Sequence, residues 1–164
     1  MSIEQEVYGI MGEKLVTNYD HKKIVAWAYQ LIVKGYQSEN LLILAGLGNE
    51  SSDVIDKYFK KTIEDLKIST DKSDKELIEI FALQLINEVV EEKINPRDGL
   101  SLMQEIVIAT DYSDRFIQFY TLQEDLDYFN NQDNTVHNPE IEASKIEKSI
   151  IKEFKRFIEQ ENQK

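Results

Sequence analysis

Carboxylates dominate the chemistry available to this chain, and they are unevenly placed. Between Asp111 and Glu142 stand eight acidic side chains and one basic one, Arg115, so this stretch carries −7 of a formal net charge of −12. Without a cofactor, carboxylates at that density are best suited to pairing with cations on another molecule. The apolar spacing predicts a helix from Ser113, with Phe116, Phe119, Leu122, Leu126 and Phe129 along its inner side. On that helix Asp114, Gln118, Thr121 and Asp125 recur at i, i+4, i+7 and i+11, a polar stripe opposite the phenylalanines. Glu124 and Asp127 flank the stripe, Asp111 precedes it and Asp133 extends it into the following loop. Tyr112, Tyr120 and Tyr128 are interleaved, and tyrosine supplies rigid contact area beside charge at interfaces. The candidate partner-binding residues are therefore Asp111, Tyr112, Asp114, Gln118, Thr121, Glu124, Asp125, Asp127, Tyr128 and Asp133.

Two plainer readings compete. In one, the tyrosines are edges of the core and the acids only keep the face solvated. In the other, Lys145, Lys148, Lys152 and Arg156, at i, i+3, i+7 and i+11 on the last helix, dock beside the acidic stripe and neutralise it. A second acidic stretch runs from Tyr36 to Asp56, where Glu39, Glu50, Asp53 and Asp56 meet no lysine or arginine.

Other chemistries find little support. There are no cysteines, so thiolate zinc sites and disulfides are excluded. Neither His21 nor His137 has a second ligand one helical turn away, as a helical zinc or di-iron site requires; His21 follows Asp20 at a helix start and His137 lies in a polar loop. No G-x-S-x-G elbow is present. Gly46-Leu47-Gly48-Asn49 follows a helix and lacks the Lys-Ser/Thr of a phosphate loop, so a helix-ending turn explains it. The stretch Asn130–Asn138 lacks the glycine and the bidentate glutamate of an EF-hand. The expectation is a non-enzymatic chain with no cofactor and no metal.

The elements that must position the acidic stripe are helical throughout. With 164 residues, 41% of them hydrophobic and 10% aromatic, the chain can bury a core without staples, and two prolines with six glycines are too few for a turn-rich sandwich. The fold class expected is all-α, a compact irregular bundle of about seven to eight helices forming a single domain over 1–164, with a solenoid of helical hairpins as the alternative. Segments are read at Ile3–Val16, from Asp20 as N-cap to a stop at Gly35, and from Ser38 through an apolar Leu41–Ala45 piece that should sit deep in the core. Ser52 or Asp53 opens the next helix, with Ile55, Phe59, Ile63 and Leu66 inside. Ser73 with Glu76 reads as a capping box before a central helix carrying Leu77, Ile80, Phe81, Leu85, Ile86, Val89 and Val90. Asn95-Pro96 and Asn138-Pro139 each pair an N-cap with proline at the first helical position. The last helix turns Ile146, Ile150, Phe154 and Phe157 inward, after a polar loop at 130–138.

The net charge of −12 repels phosphate backbones and anionic lipid, so nucleic acid and membrane are not the expected partners, and a basic protein is. The N-terminus is acidic where a secretory signal is basic, and the longest apolar stretch, Leu41–Leu47, is too short to span a bilayer; a cytoplasmic protein is expected.

Ala26-Trp27-Ala28, Leu31, Gly35, Ser38, Leu41 and Leu44-Ala45-Gly46-Leu47 together resemble small, acidic, all-helical bacterial proteins of unassigned activity, some of which resemble immunity proteins that neutralise toxins of rival cells. The resemblance implies an inhibitor that occludes a basic toxin domain such as a nuclease; it carries no functional residue over. The alternative is a helical adaptor that uses an apolar groove, or a homodimer. An enzyme working through carboxylate acid–base chemistry is the third reading.

Overall fold

The structure, a computed structural model, describes residues 2–132 and 139–163. Among these residues there are eight α-helices and no strands: α1 (Ile3–Val16), α2 (Lys22–Val33), α3 (Glu39–Ala45), α4 (Ser52–Asp65), α5 (Asp74–Val90), α6 (Pro96–Ala109), α7 (Ile117–Gln132) and α8 (Pro139–Glu161). The all-α expectation holds. Contacts group the chain into two units, Met1–Leu77 and Ile78–Lys164, with the boundary inside α5.

Local chemistry explains most helix ends. Ser2 and Gln5 form a capping box at the start of α1. Gly35 takes φ 92° after α2, and the Tyr36 N–H reaches back to the Leu31 carbonyl at 3.0 Å, a left-handed stop that glycine adopts without steric penalty. The Ser38 hydroxyl accepts from the Leu41 N–H at 3.0 Å and opens α3. Asn95 Oδ1 accepts from the Arg97 N–H at 2.9 Å, with Pro96 at the first position of α6. One cap is shifted: Asp20 Oδ1 accepts from the Lys22 N–H at 3.0 Å, yet the N-cap position itself belongs to His21.

The capping box at α5 is complete. Glu76 Oε2 accepts from the Ser73 N–H at 2.9 Å, and the Glu76 N–H donates to the Ser73 hydroxyl at 3.4 Å. Those Ser73 hydrogen bonds, with Lys72 adding a smaller share, hold the Glu76 carboxyl down from 4.5 to about 2. A depressed folded-state value means the contribution is present above the ordinary carboxylate range and is lost as pH falls toward about 2. Ser73→Ala should therefore destabilise most at neutral pH. Its difference from wild type in urea melts should shrink steadily as the pH is lowered below the carboxylate range, and a pH-independent difference would contradict this account.

In the first unit, α2 packs on α3 and both pack on α4. Its core joins Val7, Tyr19, Ile24, Ala28, Leu31, Leu41, Leu44, Ile55, Phe59, Ile63 and Ile68. Leu41 and Leu44 are fully buried, each contributing about 1.5–3 kcal/mol from area removed from water. Leu42, between them, is exposed, so α3 is not buried all round as its composition implies. A seven-residue helix lying on two neighbours must keep one side open. Glu6 ties α1 to α2, accepting from Trp27 Nε1 at 3.0 Å and Lys34 Nζ at 2.8 Å.

In the second unit, α6, α7 and α8 pack on one another. Buried residues come from α5 (Leu85, Ile86, Val89), α6 (Leu100, Met103, Ile106, Val107), the approach to α7 (Phe116), α7 (Phe119) and α8 (Ile150, Phe154, Phe157). Phe119 lies 4.7 Å from Phe154 and 5.5 Å from Phe157 between ring centroids, and Phe116 stacks on Phe157 at 5.8 Å. Such pairs add about 0.5–1.5 kcal/mol each beyond burial, and they anchor the segment that displays the acidic residues.

Candidate functional site

The segment between α6 and α7 departs from the helix expected from Ser113. Thr110 caps α6, and then Asp111 and Tyr112 both take left-handed backbone angles, φ 52° and 57°. Their N–H groups close the end of α6, Asp111 onto the Ile108 carbonyl at 3.1 Å and Tyr112 onto the Val107 carbonyl at 2.8 Å. A turn follows, and α7 begins only at Ile117. Asp114 therefore stands on the turn and not on a helical stripe with Asp125. Two successive non-glycine residues in this region are strained, by about 1–3 kcal/mol each, which tertiary packing must hold in place. The fully buried Phe116 and Phe119 on the next turns supply that packing.

Arg115 decides the electrostatics. It is the only cation in the acidic stretch, and its two terminal nitrogens each reach a carboxylate outside the candidate set: Nη1 to Glu79 at 2.6 Å and Nη2 to Glu161 at 2.6 Å. The Arg115–Glu79–Glu161 cluster ties α5, the turn and α8 together. Asp111, Asp114, Glu124 and Asp125 are exposed, and among the described residues none of them is in an ion pair. Asp127 is also exposed and accepts a hydrogen bond from Gln123 Nε2 at 2.9 Å.

Among the described residues, three members of the α8 basic stripe lie away from this face. Lys148, Lys152 and Arg156 line a separate cleft of about 580 Å³ with Glu92, Lys155 and Glu159, and Arg156 pairs with Glu153 on its own helix at 3.0 Å.

Tyr112 and Tyr120 stand edge to face with centroids 5.4 Å apart, joining the turn to α7. Tyr112 is half exposed. The Tyr120 hydroxyl is pushed above its ordinary value by Tyr112 first and by the Glu124 charge second, which places these three groups in one electrostatic neighbourhood. Tyr120, interleaved with the acids in the sequence though outside the ten candidate residues, joins the face through its pairing with Tyr112.

One candidate turns out otherwise, and another stays at the surface. Gln118 is half-buried, with its amide nitrogen buried and without a hydrogen-bond partner among the described residues, so it is not part of an open polar stripe. Thr121 is exposed and its hydroxyl donates to the Ile117 carbonyl at 3.4 Å. Asn130, Asn131 and Gln132 belong to α7, not to a loop. The Tyr128 side chain, Asp133 and His137 lie outside the described residues.

The second acidic stretch is partly compensated. Asp56 is paired with Lys14 and receives His21 Nε2 at 3.3 Å, leaving Glu39, Glu50 and Asp53 exposed. His21, at the N-cap position of α2, is thus a half-buried neighbour of Asp56, set edge to face on Tyr19 at 5.7 Å. Burial first, then the charges of Glu13, Asp20 and Asp56, raise the Tyr19 hydroxyl well above its ordinary value. Among the described residues there is no group of three or more histidines and acids that could hold a metal ion, and no helix long and apolar enough to cross a membrane.

No family model, curated protein or solved structure matches this chain. Of the resemblance read from the sequence, the small size and the all-helical architecture are what the structure shows.

Proposed function

We propose that this chain is a non-enzymatic protein-binding module whose acidic face, from Asp111 to Asp127, captures a basic protein partner. One observation carries the reading: the only cation of the stretch, Arg115, is committed to Glu79 and Glu161, so that Asp111, Asp114, Glu124 and Asp125 stand exposed without a salt-bridge partner among the described residues. Tyr112 and Tyr120 offer a rigid aromatic pair beside those charges, the combination that concentrates binding energy at interfaces. The narrower form is an immunity-type inhibitor that occludes a toxin domain's cationic substrate cleft, as the sequence resemblance implies. Occlusion needs no catalytic group on the inhibitor, only carboxylates that replace the substrate's anionic groups.

Steering by a field of this sign makes association depend on salt. A basic companion identified by co-purification should bind the wild-type chain with a rate that falls by about 10- to 1000-fold from low to high ionic strength. Asp114→Lys, Glu124→Lys and Asp125→Lys combined should bring the low-salt rate down to the high-salt one, with the helical circular-dichroism signal intact. A salt-insensitive rate, or unchanged binding by the triple variant, removes the acidic face from the interface.

A further inference from the structure

The first unit carries a surface that shares no residue with the acidic face. Four of its large apolar side chains are left in solvent on the α2–α3 hairpin: Tyr29 at 59% exposure, Val33 at 66%, Tyr36 at 39% and Leu42 at 58%. Single exposed apolar residues are ordinary; four on one short hairpin are not. Tyr29 and Val33 lie one turn apart on the side of α2 opposite the buried Ile24, Ala28 and Leu31. The left-handed Gly35 turns the chain so that Tyr36 hydrogen-bonds back to Leu31, and α3 packs against α2. On α3 Leu42 shares the outer side with Glu39, three residues before it, while Leu41 and Leu44 face the core.

The charge from the start of α3 to the first turn of α4 is one-sided. From Tyr36 to Ile55 there is no lysine or arginine. Glu39, Glu50 and Asp53 are exposed with no ion pair among the described residues. The last cation before this stretch, Lys34, is engaged by Glu6 at 2.8 Å. An apolar surface accompanied by uncompensated carboxylates is complementary to one kind of protein segment.

We infer that the α2–α3 hairpin docks a basic amphipathic helix of another protein. Apolar residues repeating every three or four positions on that helix cover Tyr29, Val33 and Leu42, and lysines or arginines beside them meet Glu39 and Asp53. Charge selects this occupant over a second copy of the chain, since two bodies each carrying −12 repel on approach. The inference does not depend on the acidic-face reading, and either stands if the other fails.

The probe is a labelled synthetic leucine–lysine peptide of about five helical turns with leucines at i, i+3, i+4 and i+7, set against a shuffled peptide of identical composition and charge. Fluorescence anisotropy on the full chain should show the patterned peptide binding at least about tenfold tighter than the shuffled one. Val33→Ser with Leu42→Ser, both at exposed positions and both uncharged, should bring the patterned peptide down to the shuffled level. Asp114→Asn with Asp125→Asn should leave the preference intact. Equal binding of the two peptides overturns the inference, as does retained preference in the serine variant. Loss of the preference only in the asparagine variant overturns it too, by placing the peptide on the second unit. A concentration-dependent dimer in sedimentation, abolished by the serine variant, also overturns it and assigns the surface to a second copy.

Discussion

Gly99→Ala should destabilise the chain by about 2–3 kcal/mol, although alanine is the better helix former. A Cβ on Gly99 would stand 2.2 Å from Val89 Cγ2, far inside any contact distance, with two further Val89 atoms at 3.5 and 3.7 Å. Val89 is fully buried near the end of α5, and its branched side chain has few rotamers in a helix, so it cannot swing aside. Propensity favours alanine by about 1 kcal/mol, whereas overpacking a core costs about 1–3 kcal/mol or more, and at this separation the steric effect wins. Urea melts give the difference directly. The decisive control is a double-mutant cycle: Val89→Ala removes the obstructing methyls, so Gly99→Ala should cost much less in that background than in the wild type. Additive losses would show that the close approach is not what requires glycine here.

Arg115→Met should lower stability by about 1–3 kcal/mol while leaving the exposed carboxylates of the acidic face in place. The methionine keeps much of the side-chain volume against Phe116, over which the guanidinium lies at 5.5 Å. It leaves Glu79 and Glu161 without their shared cation, at 27% and 21% side-chain exposure, where water only partly compensates. Arg115→Lys should recover only part of the loss, because one ammonium cannot present the two separately directed nitrogens of the fork. The variant also separates structure from steering. If the face binds a basic partner, any Arg115→Met protein that remains folded should associate faster at low salt and no faster at high salt, since the charge beside the face becomes one unit more negative. A low-salt association rate that stays the same or falls would mean that the field around Arg115 does not steer the partner.

Much of the architecture was readable from local residue patterns. Ser38, Gly35, the Ser73–Glu76 box and Asn95-Pro96 each mark a helix end through groups within a few residues of one another, and each does so in the structure. The inward residues of α4 and α8 follow the same logic, because helical periodicity turns sequence spacing into a direction. The acidic face was legible as composition and partly as position: Asp111, Tyr112, Glu124, Asp125 and Asp127 are all exposed.

The start of α7 was not legible in this way. Nothing at Asp111-Tyr112 advertises two left-handed residues, since neither is glycine, and it is the burial of Phe116 and Phe119 that holds them there. The helix thus begins later than Ser113, and the stripe through Asp114 and Gln118 is broken.

The chain's own order of residues therefore determined that it is helical, where most of its helices begin and end, and that its charge is concentrated in one stretch. These properties depend on interactions spanning one or two helical turns. Which charges remain available was decided by the tertiary structure alone. Arg115 meets Glu79 and Glu161, and Asp56 meets Lys14 and His21, across separations of tens of residues. No periodicity encodes such meetings; they follow from the packing of apolar faces, which brings distant side chains together and commits some ions internally while leaving others in water.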